Sequence, residues 1–317
     1  MRSRSPHTHL RNRNAAAALS LCLAGVLAIA GCSGGKGSQS PNAQSVERQS
    51  DAEYDLARDL LVKDNPRAAL DHAMKAISLN EENDKAQYFV AVIYLKFCST
   101  NRGLETPDCK LAEIEKYARA ALKANADFHD ARNLLGQVLV LEKRCAEAIT
   151  VLEPLTKNPA YIHPYYAWGN LGEAQMCTGQ LDVAIASLKN AVAGEPRFCV
   201  GHYRLGLAYE KKNDLPTAEA SFTSSVTADP GCEDLQDGWW ARGRVRKRLN
   251  NPEWKKDCEK CRDISSATAT GKLCLALLGT TAPSPTPASA TPASPAPSSA
   301  NPANPAPTTP SVSLKNQ

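Results

Sequence analysis

Residues 165–198, YYAWGNLGEAQMCTGQLDVAIASLKNAVAGEPRF, and residues 199–231, CVGHYRLGLAYEKKNDLPTAEASFTSSVTADPG, repeat one another. An offset of 34 carries Trp168, Leu171, Gly172, Ala184, Leu188, Ala191 and Pro196 onto His202, Leu205, Gly206, Ala218, Phe222, Ser225 and Pro230. A period of this length with small residues at fixed places denotes a helical hairpin that stacks on copies of itself. Two antiparallel helices approach closely only where small residues meet, so Gly172 and Gly206 are expected to face Ala184 and Ala218. Leu171, Leu188, Leu205 and Phe222 are expected to fill the gap between neighbouring units. Pro196 and Pro230 end the second helices, because proline supplies no N–H to continue them.

This pattern resembles the tetratricopeptide repeat, and working outward extends it. A unit from about His129 carries Leu135, Gly136, Leu139, Ala148, Leu152 and Asn158-Pro159. Before it, a unit from about Asp84 carries Val90, Ala91 and Tyr94, breaks at an insertion over Phe97–Lys110, and resumes at Leu111 with Ala118, Ala121 and Leu122. The first unit, from about Ser50, carries Leu56, Ala57, Leu60, Ala69, Ala73, Ala76 and Leu79. Its Asn65-Pro66 reads as an N-cap followed by proline at the first helical position. Beyond Pro230 the register continues through Trp239, Trp240 and Gly243, then Asn251-Pro252 opening a helix expected through Ile264, a degenerate sixth unit that caps the stack. The expected fold is all-α: a superhelix over residues 50–278 of about five clear units plus the cap. Ala-rich composition with 6% aromatic residues suits such close helix packing.

The ends of the chain differ from this array. Arg2, Arg4, Arg11 and Arg13 precede an apolar run from Ala15 to Ala30, too short for a membrane span and suited to a signal sequence over residues 1–31. The run ends Ile29-Ala30-Gly31-Cys32, which resembles the lipobox of bacterial lipoproteins; a plain secretory signal is the alternative. The resemblance implies acylation of Cys32, with several chains giving stable anchoring. Ser33 in place of Asp implies sorting to the outer membrane, with the domain facing the periplasm. Residues 32–49 read as a flexible Gly/Ser/Gln tether, and residues 279–317, rich in Pro, Ala, Ser and Thr, as a disordered tail. Without the four N-terminal arginines, basic and acidic residues are equal in number, which argues against general nucleic-acid binding.

Export makes disulfides the default state of the cysteines. Cys98 and Cys109 bracket the insertion, where a bridge would contribute about 2–3 kcal/mol. Cys145 opens the second helix of the third unit and Cys177 closes the first helix of the fourth, so a staple between stacked units is reasonable. Cys199 and Cys232 flank the fifth unit on the opposite edge. Cys274 is expected to reach Cys261 or Cys258, leaving one of that pair free. Cys258-x-x-Cys261 also admits a redox or zinc reading, but no second such pair, nearby histidine or βαβ context supports it.

No phosphate loop, nucleophile elbow or metalloprotease motif is present. His72, His129, His163 and His202 stand at different repeat positions, and His202 fills the slot of Trp168. The sequence therefore implies a binding scaffold with no catalytic residues, metal or cofactor. Its ligand site would be the concave face lined by the first helix of each unit, where Tyr54, Arg58, Tyr88, Val92, Asn133, Gln137, Tyr166, Glu173, Tyr203 and Leu207 are expected. Tyrosine offers large contact area with a hydrogen-bonding tip, although the same side chains also suit interhelix packing. Arg242, Arg244, Arg246, Lys247 and Arg248 form a basic run on the cap, either a solvated face or a contact for headgroups or an acidic partner.

The lipobox at Cys32, the array and the segment bearing Cys258, Cys261 and Cys274 together resemble the Tgl/PilF/PilW family of outer-membrane lipoproteins. That resemblance implies a pilotin of type IV pilus biogenesis. Such a protein binds secretin subunits, promotes their multimerisation and, in myxobacterial members, serves social gliding motility. The insertion and the Pro-rich tail depart from the family's compact members. A general envelope adaptor, tethering a peptidoglycan hydrolase or another complex, is the alternative; a thiol oxidoreductase centred on Cys258 and Cys261 is the reading from another class.

Overall fold

The computed structural model describes residues 41–99 and 107–279. Among the described residues the chain forms thirteen α-helices and no strand. They pair along the sequence as α1 (Pro41–Val62) with α2 (Pro66–Leu79), α3 (Asp84–Ser99) with α4 (Leu111–Ala124), and α5 (His129–Leu141) with α6 (Cys145–Thr156). The pairs continue as α7 (Pro164–Cys177) with α8 (Leu181–Gly194), and α9 (Cys199–Lys211) with α10 (Leu215–Thr227). After a short 3-10 helix, Pro230–Asp234, come α11 (Gln236–Arg248), α12 (Trp254–Ile264) and α13 (Ala269–Leu278). The expectation of an all-α stack of tetratricopeptide hairpins holds.

The turns inside the units repeat as faithfully as the helices. Asp64, Lys143, Gly179, Asn213 and Asn250 each take a positive φ between the two helices of their hairpin. Glycine, asparagine and aspartate enter that region at least cost, which is why such residues recur there. Among the described residues the second unit shows no such turn, and the insertion separates α3 from α4. Between units, Asn80, Asn125, Asn158, Glu195 and Asp229 each accept a hydrogen bond from the backbone N–H two residues on. Asn65 Oδ1 accepts from the Ala68 N–H at 3.3 Å, the cap that its position before Pro66 implied.

Close approach inside each hairpin rests on size complementarity. A Cβ on Gly172 would stand 2.5 Å from Leu188, and one on Gly206 would stand 2.6 Å from Phe222. The side chains that fill these spaces therefore belong to the second helix of the same unit, whereas the sequence reading assigned them to the gap between units. Both are fully buried, with Ala184 and Ala218 beside them at 0% exposure.

First helices touch one another from unit to unit: α1 meets α3, α5 meets α7, α7 meets α9, and α9 meets α11. Successive second helices approach less closely and meet through long side chains, as Arg119 of α4 does with Glu147 of α6 at 2.6 Å. The stack is thus tighter on the side of the first helices, which makes theirs the inner face.

Three features differ from expectation. Helix α1 starts at Pro41, so part of the stretch read as a tether is helical. α12 starts at Trp254, because Asn251 turns its side chain to the Glu253 N–H and to Glu219 and leaves Pro252 in the turn. A separate helix, α13, packs on α11 and α12, its start capped by the Thr268 hydroxyl accepting from the Gly271 N–H at 2.9 Å. Cys32 and residues 280–317 lie outside the described residues, and no described helix is long and apolar enough to cross a membrane.

Four disulfides brace the stack. Cys98–Cys109 closes the insertion, Cys145–Cys177 joins the third unit to the fourth, Cys199–Cys232 spans the fifth, and Cys261–Cys274 ties α13 to α12. Cys258 is a free, buried thiol.

Candidate protein-binding groove

One repeat position on the inner face carries Tyr54, Tyr88, Asn133 and Tyr203, and each tyrosine is held by a neighbouring ring. Tyr54 meets Phe89 edge-on at 5.6 Å, Tyr88 tilts on Phe128 at 4.9 Å, and Tyr203 on Phe222 at 5.9 Å. All three are half-buried, so each combines ring packing with partial exposure. Burial pushes the Tyr88 and Tyr203 hydroxyls well above the ordinary phenol range, with Asp130 and Asp237 respectively adding to it, so both stay neutral donors. Tyr166, also half-buried, lies 4.3 Å from Tyr165 and 5.4 Å from Phe198 between ring centroids.

The polar positions are knitted together across units. Asn170 Nδ2 donates to Asn133 Oδ1 at 3.0 Å, and Arg204 Nη1 donates to Asn170 Oδ1 at 2.8 Å. Arg204, 8% exposed, reaches Glu173 at 2.6 Å with its other nitrogen. Asn133 and Glu173 are therefore partners within a ladder joining three units. Arg58 pairs with Asp55 at 3.4 Å and lies over the Tyr54 ring, and Gln137 is half-buried. Val92 does not serve as a groove contact: it is 4% exposed and belongs to the core. Its side chain is short and apolar, and it does not reach past its neighbours as the longer residues at the equivalent position do.

An open pocket of about 470 Å³ lies where the C-terminal ends of α5, α7 and α9 meet α11. Leu207 and Glu173 line it, together with Val140, Met176, Lys143, Glu210, Lys211 and Arg244. Sequence reasoning missed the last six. For Arg244 the signal was present, since the sixth hairpin repeats the same positions, with Trp240 where the fifth has Tyr203. Reading that hairpin only as a cap hid it.

The basic run is not an open cationic patch. Arg242 reaches Asp257 at 2.7 Å, Arg246 reaches both Glu219 and Asp257, and Arg244 and Arg248 both bind Glu210. Lys247 lies over the Trp254 ring.

The cysteine pair Cys258-x-x-Cys261 does not close on itself, since Cys261 is bonded to Cys274. Burial pushes the Cys258 thiol up to about 11, with Asp257 beside it adding to the effect. A reactive thiolate needs the opposite shift. Because the folded value is raised, the neutral thiol favours folding below the ordinary thiol range, and that contribution is lost as pH rises through about 11. Cys258 is therefore expected to resist alkylation in the native protein near ~pH 8 and to react once unfolded. Counting thiols against a Cys258→Ser control checks this, and rapid native labelling of Cys258 would contradict the burial. Among the described residues no cluster of His, Cys, Asp and Glu is arranged to hold a metal.

Comparison with known proteins agrees with this architecture. The tetratricopeptide repeat family model matches residues 115–160 and 165–231. The crystal structure of PilW, a widely conserved type IV pilus biogenesis factor, is similar with a TM-score of 0.58 at 21% identity, over 71% of this chain and 98% of that one. PilF of Pseudomonas aeruginosa superposes with a TM-score of 0.56 at 14% identity, over 74% of this chain and 99% of PilF. Human IFIT1, solved as a dimer with m7Gppp-AAAA, gives a TM-score of 0.55 at 18% identity, over 66% of this chain and 48% of IFIT1. No curated protein sequence matches. At these identities the likeness is one of fold: the chain is built of tetratricopeptide repeats stacked as in PilW and PilF.

Proposed function

We propose that this protein is an assembly scaffold of a type IV pilus system, an outer-membrane lipoprotein acting as a pilotin that holds a segment of a secretin subunit in its inner groove. The observation that carries the reading is the size of the fold match. The chain accounts for nearly the whole of both PilW and PilF, which are no longer than the stack itself. The half-open tyrosines and the pocket at Leu207 supply what such a groove needs: rigid rings, already held by neighbours, that lose little entropy when a segment docks. Cys32 is the proposed lipid anchor, and the acyl chains would deliver the bound segment to the membrane where rings assemble. IFIT1 carries capped RNA on a similar fold, so fold alone does not choose the ligand. Here the arginines of the basic run are already bound to acids, which favours a polypeptide over a phosphate backbone. An envelope adaptor for a peptidoglycan hydrolase would use the same groove.

Photo-crosslinking in cells from Leu207, with Val183 on a second helix as control, decides between them. A secretin captured from Leu207 and not from Val183 is the expected result. A wall hydrolase at that position, or equal capture from both, would replace the pilotin reading. Cys32→Ser is expected to release the protein from the membrane fraction, and retention there would remove the lipid from the mechanism.

A further inference from the structure

The charges around the pocket are not evenly satisfied. Glu173 is bound by Arg204 at 2.6 Å, and Glu210 by Arg244 at 2.5 Å and Arg248 at 3.2 Å. Both carboxylates are thereby neutralised from within the protein. Lys143 and Lys211 on the same wall are exposed and have no acidic partner among the described residues. Lys143 sits in the left-handed turn that ends α5, its N–H bonded to the Val140 carbonyl, and Lys211 is the last residue of α9. The two lysines therefore stand at the C-terminal ends of helices in different units, and Met176 and Leu207 line the same pocket with them.

We propose that this pocket recognises an acidic-apolar segment of a partner polypeptide: one bulky apolar side chain against Met176 and Leu207, flanked by carboxylates that pair with Lys143 and Lys211. This rests on the groove-binding reading above and names the chemistry of its ligand. Charge complementarity selects the occupant. The pocket's acids are already occupied by arginine, so a basic segment finds no free carboxylate there, while an acidic one finds two unpaired ammonium groups beside apolar surface. Point charges on flexible stems suit carboxylates that approach from varied directions along an extended chain.

The test uses the full-length, detergent-solubilised protein and three labelled peptides: Asp-Glu-Phe-Leu-Glu-Asp, its amide counterpart Asn-Gln-Phe-Leu-Gln-Asn, and the basic Lys-Arg-Phe-Leu-Arg-Lys. Fluorescence anisotropy is expected to rank the acidic peptide about tenfold tighter than the amide one, the effect of two partly exposed ion pairs, with added salt closing the gap. Replacing both lysines with glutamate (Lys143→Glu, Lys211→Glu) is expected to abolish the preference and favour the basic peptide. Leu207→Ala is expected to weaken the acidic and amide peptides alike. Equal binding of those two with sensitivity to Leu207→Ala overturns the charge assignment and leaves the groove intact. Binding that ignores Leu207→Ala overturns the groove itself. Binding of phosphatidylglycerol vesicles without any peptide preference would assign the lysines to a membrane surface and end the proposal.

Discussion

Asp257→Ala is expected to lower the free energy of unfolding by roughly 3–5 kcal/mol, the range for removing one partner of a buried ion pair. Asp257 is 1% exposed, and Arg242, which donates to it at 3.2 and 2.7 Å, is 6% exposed. Arg246 adds two bonds to the same carboxylate at 3.1 and 3.0 Å. Truncation would leave the Arg242 guanidinium inside the cap with no acid, facing only the Trp239 ring 4.5 Å away. Arg246 would suffer less, because Glu219 holds it at 2.8 Å. The loss thus reflects an uncompensated charge more than the pair's own worth, and that distinction is measurable. Replacing both partners, Arg242→Met with Asp257→Leu, is expected to recover most of the stability in urea unfolding. If the double replacement were as unstable as Asp257→Ala alone, packing between α11 and α12 would be at fault and the electrostatic account would fail.

The same site shows where sequence reading stops. The glycines and alanines of the array were legible because steric contact imposes them at a fixed period: Gly172 and Gly206 can be recognised without knowing which residue faces them. Cys98 with Cys109 was legible because the pair brackets the insertion, and Cys145 with Cys177 because helix ends place them on a common edge. The fate of the charges was not. Arg244 and Glu210, or Arg204 and Glu173, meet across neighbouring units, and Asp257 lies across a turn from Arg242. A run of basic residues looks like an exposed patch until the stack supplies its acids. Val92 failed for a related reason, since repeat position fixes a direction and side-chain length decides whether the residue emerges. The pocket was illegible because the ends of three helices and the side of a fourth make it, and the sixth hairpin, which supplies Arg244, was discounted as a cap. Pro252 misplaced the start of α12 because Asn251 turned out to serve the loop.

Phe222→Ala is expected to cost about 3–5 kcal/mol, the range for emptying an aromatic site in a core. Phe222 is fully buried and fills the space left by Gly206, so alanine would leave a void with no side chain able to collapse into it. Phe222→Leu should cost much less, under ~1.5 kcal/mol, because the fourth unit solves the same problem with Leu188 opposite Gly172. The damage should also be local. In a linear array each hairpin contacts only its neighbours, so stability is lost unit by unit. Hydrogen exchange is expected to quicken in α9 to α12 while α1 to α4 keep their protection. Tyr203 rests on the Phe222 ring, so loosening this hairpin should also weaken binding of the acidic peptide. Uniform loss of protection along the whole chain would mean that the stack unfolds as one cooperative body. The disulfides joining the third unit to the fourth, and spanning the fifth, would then be coupling what the repeat geometry leaves separable.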